Sequence, residues 1–509
     1  MNEVSDSFQL LIESLRLAKK FLLDTLEKSN LNLNIYTHLD ADGLSSGAIL
    51  GMTFFRERIP FQIRVLKQLE KDVIINLAKD ATDEAKFIIF TDFGSGQYLE
   101  LINLLKLEEN QLPFLIIDHH LPQEVPNKKD PNIEKIYKDG IPWHINPYFY
   151  GIDGSTEISS SGLCYFFSKI INKKNIDLSP IALVGATGDI QNRGSNYSFT
   201  GINSYILKDA IEADLIDEVD DLSFSPIKPL NEAIAYSNNI NLPGLTGNAS
   251  TTLKFLKTIG ILMEKPDGNI RTLNDLTQSE KRDISSKIIE YALKYEIDPD
   301  IITQNLIINR YILKNEIVGS ELHELNEFSK LLNSCGRSEN ASLGIAIGMG
   351  DRRIAYQKAQ ENLVEYRKKI SNALSWIQNG KIKEMDYIQY FYGEDVISDT
   401  MIGTIASILI FDKSGVINKI KPIFGCSKRE AEGVYKISAR ASKKVVEEGI
   451  NLSEAIREAL KISDLDILGG GHPPAAGTIV PIDKIELFLK NCNQIIKEQR
   501  NITNEKSTI

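Results

Sequence analysis

Three short apolar runs constrain the fold more than anything else in the chain: LNIYTHLDAD (33–42), KFIIFTDFGSG (86–96) and PFLIIDHH (113–120). Continuous apolar runs of this length, separated by helical patterns, predict buried parallel strands of an α/β sheet. In open sheets of that kind functional groups gather beyond the carboxyl ends of the strands. Each run delivers an aspartate at that end. Two of them also deliver histidines, of which the whole chain has only six.

The rest of the pattern organises itself around that sheet. At 509 residues the chain is too long for one compact core, and roughly two to four domains are expected. Residues 6–28 read as an amphipathic helix, with Phe8, Leu11, Ile12, Leu15, Phe21 and Leu22 at helical spacing. SSSGLCYFFSKIINK (159–173) and PIALVGATGDI (180–190) read as helices, the second closing on Gly188-Asp189. Beyond them, 206–328 is expected to be a mostly helical insertion without a strand-rich core. From 329 to 500 a smaller α/β domain is expected. Its strands would be NASLGIAIGMG (340–350), DYIQYFYG (386–393), KPIFGCS (421–427) and GVYKISAR (433–440), with helices over 351–378 and 399–413. It would end in a GGGHPPAAG loop (469–477), a strand (TIVP), a last helix over 483–500 and a frayed tail, 501–509.

Composition excludes several classes. An apolar fraction of 42% and a charged fraction of 25% are those of an ordinary globular protein. No apolar run reaches the about 18 residues a membrane span needs, so no membrane partner is expected. The start, MNEVSDSFQLLIESLRLAKK, lacks a signal peptide's basic head and cleavage site, which predicts an intracellular protein. Cys164, Cys335, Cys426 and Cys492 are isolated, so neither a disulfide frame nor a structural zinc site is expected. The net charge of −11 argues against coating nucleic acid by bulk electrostatics. It leaves room for a local basic groove, or for metal ions that supply positive charge in an acidic site.

The acidic strand ends need a physical reason. Carboxylates a few ångströms apart repel and raise one another's pKa, a problem that bound divalent cations remove. Aspartate with histidine suits a borderline ion such as Mn²⁺ better than Mg²⁺, which prefers oxygen ligands. Two such ions about 3.5–4 Å apart can clamp the oxygens of a phosphoryl displacement. The bland alternative is real, because a single aspartate at a strand end is ordinarily a helix cap or a turn former. Several of them at equivalent topological positions are harder to explain that way. Asp92-Phe93-Gly94 matches the kinase DFG, but no glycine-rich loop, strand lysine or HRD loop accompanies it.

In order along the chain, HLDADG, TDFGSG, IIDHH and GATGD resemble the four motifs of the DHH phosphoesterase superfamily. GGGHPPAAG, preceded by KISAR, resembles the DHH-associated C-terminal domain that closes over the substrate. The set is most similar to the archaeal RecJ-like branch, of the GINS-associated nuclease type. VLKQLEKD (65–72), SGLCYFF (161–167), LLNSCGR (331–337) and SDTMIGTIAS (398–407) match it too. The resemblance covers about 1–200 and 330–490 and is thin between. It implies an N-terminal DHH domain with a mainly parallel sheet, a helical insertion, a smaller α/β domain, and an active-site cleft between the first and last.

Carried over, the resemblance gives His38, Asp40 and Asp92 to one Mn²⁺ (Mg²⁺ as substitute). It gives Asp42, Asp92, His119 and Asp189 to the other, with Asp92 bridging. Asp118 would orient the neighbouring His119 from behind, and His120 would reach the scissile phosphate. The Gly469-Gly470-Gly471 backbone and His472 would approach a phosphate, and Ser438 with Arg440 would grip a terminal one. Arg337 is a further candidate, which a helix-end salt bridge would explain as well. Pro473-Pro474 departs from close relatives, removes two N–H donors and is expected to affect substrate fit.

The resemblance implies an exonuclease on single-stranded DNA (or RNA), 5′ to 3′, releasing mononucleotides in replication and repair with the GINS complex and MCM helicase, in a cytoplasmic, nucleoid-associated setting. Two other classes compete. One is a replisome scaffold, like the eukaryotic helicase subunit of this branch that has lost its nuclease ligands. The other is a phosphodiesterase for short oligonucleotides, cyclic dinucleotides or pyrophosphate. The complete ligand set speaks against a pure scaffold, and the long insertion against the small-substrate enzyme.

Overall fold

The computed structural model describes residues 2–29, 31–82, 86–104, 113–123, 143–237, 239–411 and 415–506. Its first layer is a five-stranded sheet ordered β2-β1-β3-β4-β5, with every neighbouring pair parallel. The strands are β1 (Asn32–His38), β2 (Phe61–Leu66), β3 (Lys86–Thr91), β4 (Phe114–Ile117) and β5 (Trp143–Ile145). α1 (Asn2–Lys28) precedes β1, and α2 (Ala41–Arg56), α3 (Lys71–Thr82) and α4 (Tyr98–Leu104) follow β1, β2 and β3 in turn.

The apolar runs are continuous because both faces of this sheet are covered. Alternate side chains feed two cores: Ile35, Phe87, Ile89, Leu115 and Ile117 go to one, and Tyr36, Ile88, Phe90, Phe114 and Ile116 to the other. The larger core also takes Leu11, Leu15, Ala18 and Leu22 of α1 and the apolar faces of α2, α5 (Ser160–Ile171) and α6 (Ser179–Gly188). The four cysteines are buried and free.

After α7 (Asn203–Glu212) the chain enters a two-stranded antiparallel ribbon, β6 (Ile216–Leu222) with β7 (Ile307–Leu313). Between them lie α8 (Leu230–Ala235), α9 (Ala249–Thr258), α10 (Gln278–Leu293) and α11 (Pro299–Leu306), around a core of their own. The insertion is therefore helical, but a strand pair forms its neck.

The expected boundary at 328/329 falls inside a packed unit. Leu331, Leu332 and Cys335 of α12 (Leu325–Arg337), Ile345 and Ile347 of α13 (Ala341–Gly348), and Ala359 and Leu363 of α14 (Ile354–Gln378) belong to the first core. The far end of α14, from Tyr366 to Ile377, packs with the last domain. NASLGIAIGMG, expected as a strand, is helix α13. A short apolar run cannot show its period, and Gly344 and Gly348 let α13 approach α2 closely. A Cβ at Gly348 would lie 2.5 Å from Ala48 Cβ.

The second sheet is ordered β12-β13-β11-β10-β9-β8. Its strands are β8 (Lys383–Glu384), β9 (Gln389–Tyr392), β10 (Ile423–Arg429), β11 (Val434–Arg440), β12 (Gly469–His472) and β13 (Ala475–Pro481). Around it lie α15 (Ile402–Phe411), α16 (Lys443–Glu447), α17 (Leu452–Ile462) and α18 (Ile485–Lys506). GGGHPPAAG, expected as a loop, is a hairpin with Pro473-Pro474 as its two-residue link and His472 paired to Ala475. The missing N–H donors fall where the ladder needs none. The expected tail is helical to Lys506, while 507–509 lie outside the described residues. Among the described residues no helix is long and apolar enough to cross a membrane.

Candidate metal centre and cleft

Register places the acidic groups. Thr37, Thr91, Ile117 and Ile145 form one row across four strands, so His38, Asp92 and Asp118 emerge together on the next row. Asp40 caps α2, accepting from the Gly43 amide at 3.1 Å, which is the bland role foreseen for it. Its other oxygen faces His38 Nδ1 at 2.9 Å, so capping and site-building coexist. Asp42, in the first turn of α2, is fully buried and accepts from the Ser160 amide at 2.8 Å and the Ser161 amide at 3.1 Å, at the start of α5. Asp189 ends α6.

Four groups of side chains could hold a metal among the described residues: {His38, Asp40, Asp92}, {Asp42, Asp92, His119, Asp189} and {Asp92, Asp118, His120}, which share Asp92, and {His119, His120, His472}. His119 Nε2 lies 3.1 Å from Asp189, 3.4 Å from Asp92 and 3.9 Å from Asp42, while His38 Nδ1 lies 3.4 Å from Asp92. Yet His38 Nδ1, His119 Nε2 and both Asp92 carboxylate oxygens are buried without a hydrogen-bond partner. Buried polar atoms are normally satisfied; here they converge without hydrogen-bond geometry, as ligand atoms around a cation do. His119 Nδ1 donates to the Gly154 carbonyl at 2.6 Å, which leaves its Nε2 lone pair facing the carboxylates. Asp92 holds its place at a φ of 65°, a left-handed conformation rare outside glycine and frequent at functional sites. The residues present fit divalent cations.

The electrostatics agree. Burial would lower the His38 imidazole, but Asp40 and Asp92 outweigh it and push it up to about 10. His119 is driven up in the same way, burial being overcome by Asp189 and Asp92. Burial, with Asp92 and Asp189 beside it, holds the Asp42 carboxyl well above the usual range. Such a cluster demands positive charge, and protons and metal ions compete to supply it.

Asp118 takes a different part from the one expected. Its Oδ1 accepts from His120 Nδ1 at 2.8 Å and its Oδ2 from the Ser95 amide at 2.9 Å, so it orients His120, while the Gly154 carbonyl orients His119. Behind it, Asn146 donates to Ser95 Oγ and to the His120 carbonyl, both at 2.8 Å, and Ser95 Oγ meets His144 Nε2 at 2.7 Å. No motif pointed to this buried shell, because His144 and Asn146 arrive from a separate strand.

The facing wall is cationic. A cleft of about 320 Å³ runs between the parallel sheet's carboxyl ends and the second sheet. His472 stacks on His120 across it, with ring centroids 5.2 Å apart. Burial, then His120 and His119, holds the His472 imidazole down at about 3. Arg337, Ser438, Arg440 and Gly469–Gly471 all line the cleft. Arg337 donates to the Thr400 carbonyl at 3.2 Å rather than to an acid, and Arg440 to Ser407 Oγ at 2.9 Å. Lys67, Gln68, Arg429, Lys436 and Arg457 line it too. Sequence reasoning assigned them no role, although Lys436 shares a strand face with Ser438 and Arg440.

Residues 226–307 match the DHH-CID domain model and 387–498 the DHHA1 domain model. The uncharacterized protein MJ0831 of Methanocaldococcus jannaschii is 34% identical over 92% of this chain and 94% of its own. RecJ of Thermus thermophilus, solved in complex with Mn²⁺, is similar in structure (14% identical, TM-score 0.53) over 95% of this chain. The chain is a RecJ-like member of the DHH superfamily. It spans 55% of that RecJ chain. This RecJ-like chain also resembles CDC45 of Entamoeba histolytica (13% identical, TM-score 0.62), covering 97% of itself and 99% of CDC45. At such identities the structural likeness is one of fold. Superfamily membership supports a phosphoesterase or nuclease, and the histidine–aspartate cluster is consistent with divalent metals.

Proposed function

We propose that this RecJ-like protein is a Mn²⁺-dependent exonuclease of single-stranded DNA, degrading from the 5′ end to mononucleotides. One observation carries the reading: two ligand groups joined through Asp92, their buried lone pairs without hydrogen bonds, facing a cationic wall. His38, Asp40 and Asp92 would hold one ion, and Asp42, Asp92, His119 and Asp189 the other. When bound, the ions supply Lewis acidity and lower the pKa of water at the site.

The chain's own groups do the rest. Arg440 and Ser438 bind a phosphate, Arg337 adds charge beside them, and the Gly469–Gly471 backbone allows close approach. His120, protonated at Nδ1 and held by Asp118, and His472 orient the scissile phosphate from opposite walls. In the replication machinery the GINS complex and MCM are the proposed partners, tested by co-purification. The fold shared with CDC45 leaves a scaffold role beside catalysis open to the same experiment.

The decisive assay incubates the protein with Mn²⁺ and single-stranded DNA labelled at either end. Mononucleotides are expected from the 5′-labelled strand, lost in Asp118→Ala and His119→Ala. An inert wild type that binds GINS tightly would favour the scaffold instead. Turnover confined to dinucleotides would favour the small-substrate enzyme.

A further inference from the structure

Three of the chain's six histidines meet across the cleft, and they come from both walls. His119 and His120 follow β4 on the parallel-sheet side, while His472 closes β12 in the second sheet. Ring centroids are 4.4 Å apart for His119 and His120, 5.2 Å for His120 and His472, and 6.0 Å for His119 and His472. One ring nitrogen of each lies within 4.8 Å of the other two.

Bonds on the far side of the rings set them as ligands. His119 donates from Nδ1 to the Gly154 carbonyl at 2.6 Å, and His120 from Nδ1 to Asp118 at 2.8 Å. Each keeps Nε2 as its lone-pair nitrogen, the state in which carbonyl and carboxylate partners hold metal-binding imidazoles. His472 stands on a hairpin tied down at its tip. There the Pro473 carbonyl accepts from the Leu452 amide at 3.0 Å, and the Pro474 carbonyl from the Ala441 amide at 2.9 Å. A tetrahedral Zn²⁺ bonded to nitrogen at about 2.0–2.1 Å spaces its ligand atoms about 3.4 Å apart. The three nitrogens therefore need to draw together by at most about 1.4 Å.

The donor set selects the ion. Three imidazoles and no carboxylate suit Zn²⁺ and its borderline neighbours, whereas Mn²⁺ and Mg²⁺ favour the oxygen-rich groups around Asp92. His119 also belongs to the group of Asp42, Asp92 and Asp189, and with Nδ1 engaged its Nε2 can serve only one ion at a time. We infer that His119, His120 and His472 form an inhibitory Zn²⁺ site, which fastens the two walls of the cleft together and takes His119 away from the neighbouring group. The binding stands on the three histidines alone; the inhibition rests on the hydrolytic function proposed above.

The test compares wild type with His120→Ala and His472→Ala, one from each wall, both side chains being partly buried at the cleft surface. Zn²⁺ affinity is measured on the full chain by competition with a chromophoric chelator, and Co²⁺ is used as a spectroscopic probe of four-coordinate binding. Hydrolysis of single-stranded DNA in Mn²⁺ is followed against rising Zn²⁺. Wild type is expected to hold one Zn²⁺ that each variant weakens by at least about tenfold, with the visible Co²⁺ absorption reduced in both. The Zn²⁺ concentration that halves each protein's own rate should rise in step in the His472 variant. Zinc affinity and Co²⁺ spectra unchanged in either variant overturn the site, since zinc would then sit only among the carboxylates. Zinc inhibition of the His472 variant at wild-type concentrations overturns the inhibitory role. A Mn²⁺-loaded wild type that hydrolyses nothing yet binds zinc through His120 and His472 overturns the proposed function and leaves the metal site standing.

Discussion

Gly185 offers a test of whether the second ligand group is built as described. It sits inside α6, where alanine would ordinarily stabilise the helix by about 1 kcal/mol. Here a Cβ would lie 2.2 Å from Ser161 Oγ and 2.6 Å from Asp42 Oδ1, both buried. Comfortable contact needs about 3.5 Å, so Gly185→Ala must displace Ser161 or the Asp42 carboxylate by about 1 Å. Overpacking of that kind costs about 1–3 kcal/mol, which after the helix gain leaves a loss of about 0–2 kcal/mol. The change in stability is therefore small and the change in chemistry large. Displacing Asp42 should weaken one Mn²⁺ site by about 10–100-fold, the scale of losses when a ligand's support is disturbed. The site of His38 and Asp40, on the other side of Asp92, should be spared. Calorimetric titration with Mn²⁺ reads both, alongside a thermal melt in EDTA. A variant about 1 kcal/mol more stable, with both sites unchanged, would refute the geometry; equal weakening of both sites would refute the division into two groups.

Other predictions concern the groups around the histidine–aspartate cluster. Burial holds the His144 imidazole down at about 4, below its ordinary value of about 6.5, so the folded state resists its protonation. Its stability contribution is intact above pH about 6.5 and lost as pH falls toward 4, and His144→Gln should flatten that part of an EDTA-treated stability curve. Asn146→Ala should cost about 1–3 kcal/mol by stranding the His120 carbonyl and the Tyr148 amide; urea unfolding checks this, and kcat should fall more than KM rises. Burial, with Arg337 beside it, lowers the Arg440 guanidinium to about 10. Arg440→Met should leave thermal stability nearly unchanged, since among the described residues the half-buried guanidinium has no carboxylate partner to lose, while raising KM for 5′-phosphorylated strands.

The histidine–aspartate cluster was legible in the sequence because its members sit on short local signals. His38, Asp92 and Asp118 each end an apolar strand, and parallel register does the rest. What depended on packing was not legible. Two adjacent imidazoles compete for Asp118, and only the path of the chain through Gly154 decides that His120 takes it. NASLGIAIGMG lacks a readable period, and its helical state is set by the face of α2 it meets. The glycine-rich segment becomes a strand because β13 offers it a ladder. The bridges from Gln68 to Lys436 and from Glu70 to Arg429 exist only once the two sheets face each other, so no pattern within VLKQLEKD announces them.

The ribbon of β6 and β7 has a consequence of another kind. Ile216 pairs with Leu313 and Leu222 with Ile307, so the excursion between them leaves and returns at adjacent points. Arg310 clasps the neck by donating to the Leu222 and Phe224 carbonyls, and everything beyond it has its own apolar interior. Such a unit is a plug-in cartridge: because its two ends sit side by side, enlarging, trimming or replacing it with a hairpin turn would not re-thread the sheets on either side.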